Sequence, residues 1–231
     1  TSDGYRLGAP DNVGVCNGAI AGVIENAKIT NVYAAGTVLG RGTKCVVGGI
    51  FGKVIASTVE NVAFHGRVGS YYSRMTGGLV GQCMAKSNDG KPVKSSLRNM
   101  YTASMVDLED YQYNRETGWA ETLGQVEENS LEVAENIYYN RQLFTENSAN
   151  GTGLTTDQFT SGTPLTGFSA DAWVFKAGQY PVLKKAAGSA SADLAASAIL
   201  LSEGANISKV NRNMKLTAVG NTTFSLVLNG K

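Results

Sequence analysis

Four segments of this chain superpose on a single asparagine, and that repeat narrows the possible folds more than any other feature. They are "GAIAGVIENAKITNVYAAGTV" (18–38), "GGIFGKVIASTVENVAFHGRV" (48–68), "GGLVGQCMAKSNDGKPVKSSLRNMYTASMV" (77–106) and the more divergent "WAETLGQVEENSLEVAENIYYNRQL" (119–143). Gly22 precedes Asn31 by nine residues, and Gly52 precedes Asn61 by nine. Gly81 precedes Asn99 by eighteen, so copy three carries a nine-residue insertion within "KSNDGKPVKSS". Copy four centres on Asn136 and carries a three-residue insertion. Beyond the asparagine the columns run without gaps. Two residues before it stand Ile29, Val59, Leu97 and Ala134; one after it, Val32, Val62, Met100 and Ile137; seven after it, Val38, Val68, Val106 and Leu143.

Apolar residues at −2, +1 and +7 do not fit a 3.6-residue period, and Val, Ile and Gly are poor helix formers. A strand period of two works on either side of the asparagine, but its parity flips there. The chain must therefore bend at Asn31, Asn61, Asn99 and Asn136, and asparagine tolerates the left-handed conformation that a bend requires. The pattern predicts an all-β fold: a parallel β-helix (β-solenoid) of about four repeats, with Gly22, Gly52 and Gly81 at corners and the asparagines stacked as a ladder. A glycine-rich β-sandwich is the alternative. Each buried aliphatic contributes roughly 1.5–3 kcal/mol, against roughly 1–2 kcal/mol per residue of backbone ordering entropy. One copy cannot stand alone, and the copies must stack.

These residues resemble the GLUG-motif repeats of bacterial surface proteins. Those occur in Bacteroides-type adhesins and in non-catalytic regions of immunoglobulin A peptidase-like proteins. The closest matches are "GGIFGK" (48–53) and "GGLVGQ" (77–82), each followed by an Asn-Val/Met-Tyr type element; Asn31-Val32-Tyr33 and Asn99-Met100-Tyr101 keep it, and Asn61-Val62-Ala63 loses the tyrosine. The stretch "GLTTDQFTSGTPLTGFSADAWVFKAGQYPVLKK" (153–185) is similar to the segment that closes such arrays, through Leu154, Phe159, Phe168, Trp173, Tyr180, Pro181 and Leu183. The resemblance implies a surface or extracellular location and adhesion or scaffolding. A non-catalytic accessory region of a larger secreted peptidase or polysaccharide-degrading protein is the alternative.

Residues 1–185 are expected to form the repeat domain: a leading strand or cap over 1–16, coils over 17–143, and a closing cap with Trp173 as a lid on the final coil. Residues 186–197 read as a small, polar linker. Residues 198–231 alternate through Ile207, Val210, Met214, Leu216, Phe224, Leu226 and Leu228. They read as a small antiparallel β piece, either sandwich-like or packed on the coils.

A net charge of +1 gives no case for nucleic acid, and no run is long and apolar enough to span a membrane. Three cysteines without CxxC spacing indicate no zinc site, although Cys16 and Cys45, near-equivalent in adjacent copies, are candidates for a bridge. Cys83 occupies an apolar column. His65, the only histidine, has alanine counterparts in copies one and three. With no partner for a metal or a triad, it reads as an exposed or coil-edge residue. No catalytic residue, metal or cofactor is expected. The tyrosine pairs Tyr71-Tyr72 and Tyr138-Tyr139 read as packing residues. The candidate ligand-binding set is acidic and aromatic: Asp107, Glu109, Asp110, Tyr111, Tyr113 and Trp119, within the insertion 107–121. The insertion 85–96 is a second candidate loop. Paired carboxylates with aromatics suit a glycan, by contact or, in a carbohydrate-active β-helix, by hydrolysis. The expected partner is a protein or glycan on a cell surface.

Overall fold

The structure, a computed structural model, describes residues 15–41, 45–71, 75–108, 119–120, 122–143 and 150–184. Copy one supplies β1 (Cys16–Asn17), β2 (Ala21–Glu25) and β3 (Lys28–Arg41); copy two supplies β4 (Val46–Gly48), β5 (Phe51–Ile55) and β6 (Thr58–Tyr71). Copy three supplies β7 (Met75–Gly77), β8 (Val80–Met84), a hairpin of β9 (Lys86–Asn88) and β10 (Lys91–Val93), and β11 (Ser95–Leu108). Copy four gives β12 (Trp119–Ala120), β13 (Leu123–Val126) and β14 (Leu131–Asn140). After the repeats come β15 (Thr152–Leu154), the short helix α1 (Thr156–Phe159), β16 (Trp173–Val174) and β17 (Val182–Leu183).

The fold is all-β, and each copy contributes one strand to each of three parallel sheets. Their orders are β1-β4-β7-β12, β2-β5-β8-β13 and β3-β6-β11-β14-β15. Pairing runs copy to copy in the register of the sequence columns, with Ile29 on Val59, Val59 on Leu97 and Leu97 on Ala134. Parallel pairing in all three sheets replaces the sandwich alternative, whose sheets are antiparallel.

Asn31, Asn61, Asn99 and Asn136 adopt φ between 54° and 58°. Each bends its long strand without ending it and exchanges the faces toward which side chains point. Val59 and Leu97 before the bend, and Val62, Met100 and Ile137 just after it, enter one core with Val47 of β4 and Phe51, Val54, Val80, Cys83 and Leu123 of the second sheet. Leu143 departs from its column. β14 ends at Asn140, and Leu143 packs instead with Tyr138 and Phe168 on the other face of the third sheet.

Gly22, Gly52 and Gly81 lie inside β2, β5 and β8 rather than at corners. The reason is close approach. A Cβ at Gly22 would overlap the Cys16 carbonyl oxygen, and one at Gly81 would come within 2.7–2.8 Å of Val46 and Val47. The first and second sheets thus meet backbone to backbone, a spacing only glycine permits. The corner between the second and third sheets is made by other left-handed residues, Asn26 (φ 50°), Ala56 (φ 45°) and Asn129 (φ 59°). Buried serines secure that corner. Ser57 Oγ accepts from Ala27 N–H at 3.0 Å, and Ser95 Oγ accepts from Ser57 N–H at 3.0 Å.

The leading strand or cap expected over 1–16 falls on residues 1–14, which lie outside the described set, as do the linker and the piece 198–231. No disulfide joins Cys16 and Cys45. Cys16 pairs with Val46 rather than Cys45, and a one-residue offset in a strand turns the two side chains to opposite faces. Cys83 is buried, as its column requires. Burial and the neighbouring Glu127 push its thiol up to about 12.

These contacts carry two opposite expectations in denaturant unfolding. Ala56→Gly relieves a left-handed alanine and raises stability by about 1 kcal/mol. Gly81→Ala forces two sheets apart and lowers it by about 3 kcal/mol or more.

Candidate functional site

The second face of the third sheet carries the most elaborate side-chain chemistry among the described residues. At +2 from the asparagines stand Tyr33, Ala63, Tyr101 and Tyr138; at +4 stand Ala35, His65, Ala103 and Asn140. Copies one and three place tyrosine then alanine, whereas copy two places alanine then histidine. The exchange conserves volume along the stack. The His65 imidazole lies 5.3 Å from both the Tyr33 and Tyr101 rings, and 5.1 Å from Tyr180.

His65 is therefore not exposed or at a coil edge. It is 1% exposed, because residues 150–184 lie over it. The Tyr101 hydroxyl donates to the Pro181 carbonyl at 2.6 Å, leaving a lone pair to accept from His65 Nε2–H at 2.8 Å. His65 is thus the Nε2–H tautomer, with Nδ1 buried and without a partner among the described residues. Burial lowers its pKa to about 3, so the ring is neutral near pH 7. Both ring edges are enclosed, and among the described residues no carboxylate orients the ring. The arrangement locks residues 150–184 to the sheet.

Trp173 completes the lock. Its ring is 1% exposed, lies 4.7 Å from Phe168 and 5.7 Å from Tyr101, and donates Nε1–H to Asn61 Oδ1 at 3.1 Å. It is not a lid on the final coil; the covering segment runs across the stack and reaches back to copy two. The departure that marks its seat is Ala63, the small residue in a column of tyrosines.

The asparagine ladder is consequently interrupted. Asn61 Nδ2 donates to Asn31 Oδ1 at 3.2 Å, and Asn136 Nδ2 to Asn99 Oδ1 at 2.9 Å. Between the two rungs, Asn61 Oδ1 is taken by Trp173 and Asn99 Nδ2 turns to Glu60 at 3.3 Å. At the far end Asn140 Nδ2 reaches Thr156 Oγ1 at 2.8 Å and also bonds Tyr180. Thr155 and Gln158 cap α1 reciprocally.

The acidic and aromatic candidates fall at another place. Asp107 lies near the end of β11, paired with Gly69. Trp119 opens β12, paired with Thr76. Glu109, Asp110, Tyr111 and Tyr113 lie outside the described residues. The insertion 85–96 is the β9–β10 hairpin, turning at Asp89 (φ 49°) and Gly90 (φ 76°), the left-handed pair that a tight hairpin needs. Lys86 at its base pairs with Glu25 at 2.6 Å. The hairpin precedes β11 and the 107–121 insertion begins at its end; residues 109–118 and 121 lie outside the described set. Tyr138 and Tyr139 are packing residues, 9% and 6% exposed; the side chains of Tyr71 and Tyr72 lie outside the described set. Among the described residues no three His, Cys, Asp or Glu side chains are grouped as metal ligands, and no helix is long and apolar enough to cross a membrane.

No protein-family model, curated protein or solved structure matches the chain.

The buried histidine makes stability pH-dependent. A ring that titrates near 6.5 when unfolded and at about 3 when folded leaves the unfolded state binding more protons between those values. Its contribution is complete above pH 6.5 and is lost as pH falls, by at most about 1.4 kcal/mol per unit. His65→Gln keeps the donor but not the titration. The stability difference between parent and variant, followed by Trp173 fluorescence in urea, is expected to shift by about 2 kcal/mol from pH 8 to pH 5. Tyr101→Phe strands the His65 donor and the Pro181 carbonyl together, and is expected to cost about 2–4 kcal/mol.

Proposed function

We propose that the chain is a non-enzymatic, extracellular or cell-surface repeat module of the GLUG type. Its copies are successive coils of a parallel β-solenoid, and it serves adhesion or scaffolding by presenting loops to a protein or glycan. The observation that carries this reading is the tolerance of insertions at corners. A nine-residue insertion emerges as the β9–β10 hairpin, yet β11 keeps its register on β6 from Ser96↔Thr58 to Leu108↔Ser70. A rigid stack that holds its register while its corners vary is a rack for recognition loops. The core shared by strands of all three sheets supports the coil reading. Enclosure of His65 by Tyr33, Tyr101 and Tyr180 supports the non-enzymatic one.

The favoured contact surface is the 107–121 insertion, where Asp107, Glu109 and Asp110 stand close in sequence to Tyr111, Tyr113 and Trp119. Aromatic faces stack on the apolar faces of sugars or serve as anchors at protein interfaces, and carboxylates accept hydroxyl hydrogen bonds. The test is binding of the full chain to a glycan array and to immobilised host glycoproteins, beside a Tyr113→Ala, Trp119→Ala double variant. Loss of at least about tenfold in affinity, some 1.4 kcal/mol, is expected. Unchanged binding by a folded variant would refute the assignment of this loop.

A further inference from the structure

The segment that covers the second face of the third sheet is a separate unit in its bonding. β15 pairs with Tyr138, Tyr139 and Asn140 of β14, and Leu154 O accepts from Arg141 N–H at 2.9 Å. From Thr155 to Lys184, the backbone-to-backbone bonds among the described residues all stay within the segment. Gly178 N–H donates to Thr160 O at 2.7 Å, Lys184 N–H donates to Ala172 O at 2.8 Å, and β16 pairs with β17. The turns are its own as well, with Gly162, Gly167 and Gly178 at φ of 79–81°. Side chains alone fasten this unit to the stack. The Tyr138 and Tyr101 hydroxyls donate to Thr166 O and Pro181 O, Trp173 Nε1–H donates to Asn61 Oδ1, and Asn140 and Gln142 hold Thr156. Gly167 passes so close over the asparagine ladder that a Cβ there would overlap the Asn136 amide.

The seam beneath the segment is an aromatic cluster distinct from the inner core, built from Tyr101 and Tyr138 of the sheet and Phe159, Phe168, Trp173 and Tyr180 of the cover. Lifting residues 155–184 breaks this cluster and leaves the inner core and the pairing of the four copies whole. His65 lies in the seam. Tyr33 of β3, Tyr101 of β11 and Tyr180 of the cover face it. Lys28, Glu60 and Arg98 precede the asparagine bend, and along β6 the next charge after the ring is Arg67, of the same sign as a protonated imidazole. The charges of the cover, Asp157, Asp171, Lys176 and Lys184, are exposed. The sheet closes the other side of the ring, so water reaches it with least disruption when the cover lifts.

We propose that residues 155–184 are an acid-released strap: protonation of His65 lifts them from the sheet as a unit, hinged at β15, while the four copies stay stacked. The charge favours the lifted state because only there is the ring hydrated. The ring titrates near 6.5 in water and at about 3 when enclosed. Lifting therefore becomes about thirtyfold more frequent as pH falls from 8 to 5. It bares Tyr33, Tyr101 and Tyr138, large amphipathic rings of the kind that anchor a partner.

Hydrogen exchange of the full chain, corrected for the intrinsic pH dependence of amide exchange, separates strap from stack. At pH 5 the bonded amides of Thr160, Gly178 and Lys184 are expected to be at least about tenfold less protected than those of β6 and β11. Their protection is also expected to be about thirtyfold below its value at pH 8, and His65→Gln is expected to remove that change. Equal protection of strap and stack at both pH values would overturn the proposal, because the chain would then open only as a whole. So would a pH dependence that His65→Gln leaves unmoved. The single histidine gives a second reading that needs no variant. Its ring NMR signals are expected to keep the neutral Nε2–H form down to about pH 5; titration near pH 6.5 with the strap amides still protected would equally overturn the proposal. If the variant does not fold, the exchange and ring titration of the parent chain decide alone.

Discussion

The structure depends on a left-handed residue placed in the middle of a strand. At Asn31, Asn61, Asn99 and Asn136 the backbone turns through positive φ while the pairing continues on both sides. Side chains that would alternate regularly are shifted by one, so the same strand buries −2 and +1 in the inner core and +2 and +4 on the opposite face. A single sheet thereby has two apolar faces and must be covered twice. The other two sheets cover one face; residues 150–184 cover the other.

That second covering explains why copy two differs from its neighbours. An ideal stack would repeat tyrosine at +2 and alanine at +4 and would run its amide ladder unbroken. Here Ala63 opens a notch, His65 fills the adjacent space, and the Trp173 indole takes the hydrogen bond that the ladder would have used. The interruption replaces one amide contact by a bond that fastens a separate segment to the stack. His65 is held there as a neutral donor, because a charged ring would lose its hydration with no carboxylate among the described residues beside it.

Close backbone packing sets the other limit on sequence. Gly22, Gly52 and Gly81 are fixed by the distance between the first and second sheets, so that side of the stack has no freedom to vary. Insertions fall between strands: the β9–β10 hairpin precedes β11, and the 107–121 insertion begins where β11 ends.

The sequence by itself determined the copies, their register, the bend at each asparagine and the all-β class. These follow from local sterics and periodic burial, which a single strand already expresses in its order of residues. It did not reveal that the glycines serve close approach rather than corners, because extended glycine and turning glycine look alike until a neighbouring backbone is placed. Only the tertiary structure decided the roles of His65 and Trp173. Their partners are 36 and 112 residues away, and a contact across that separation leaves no periodic trace. What trace there was, the exchange of Tyr-Ala for Ala-His in copy two, is a compensation in volume whose meaning appears only when adjacent strands are stacked.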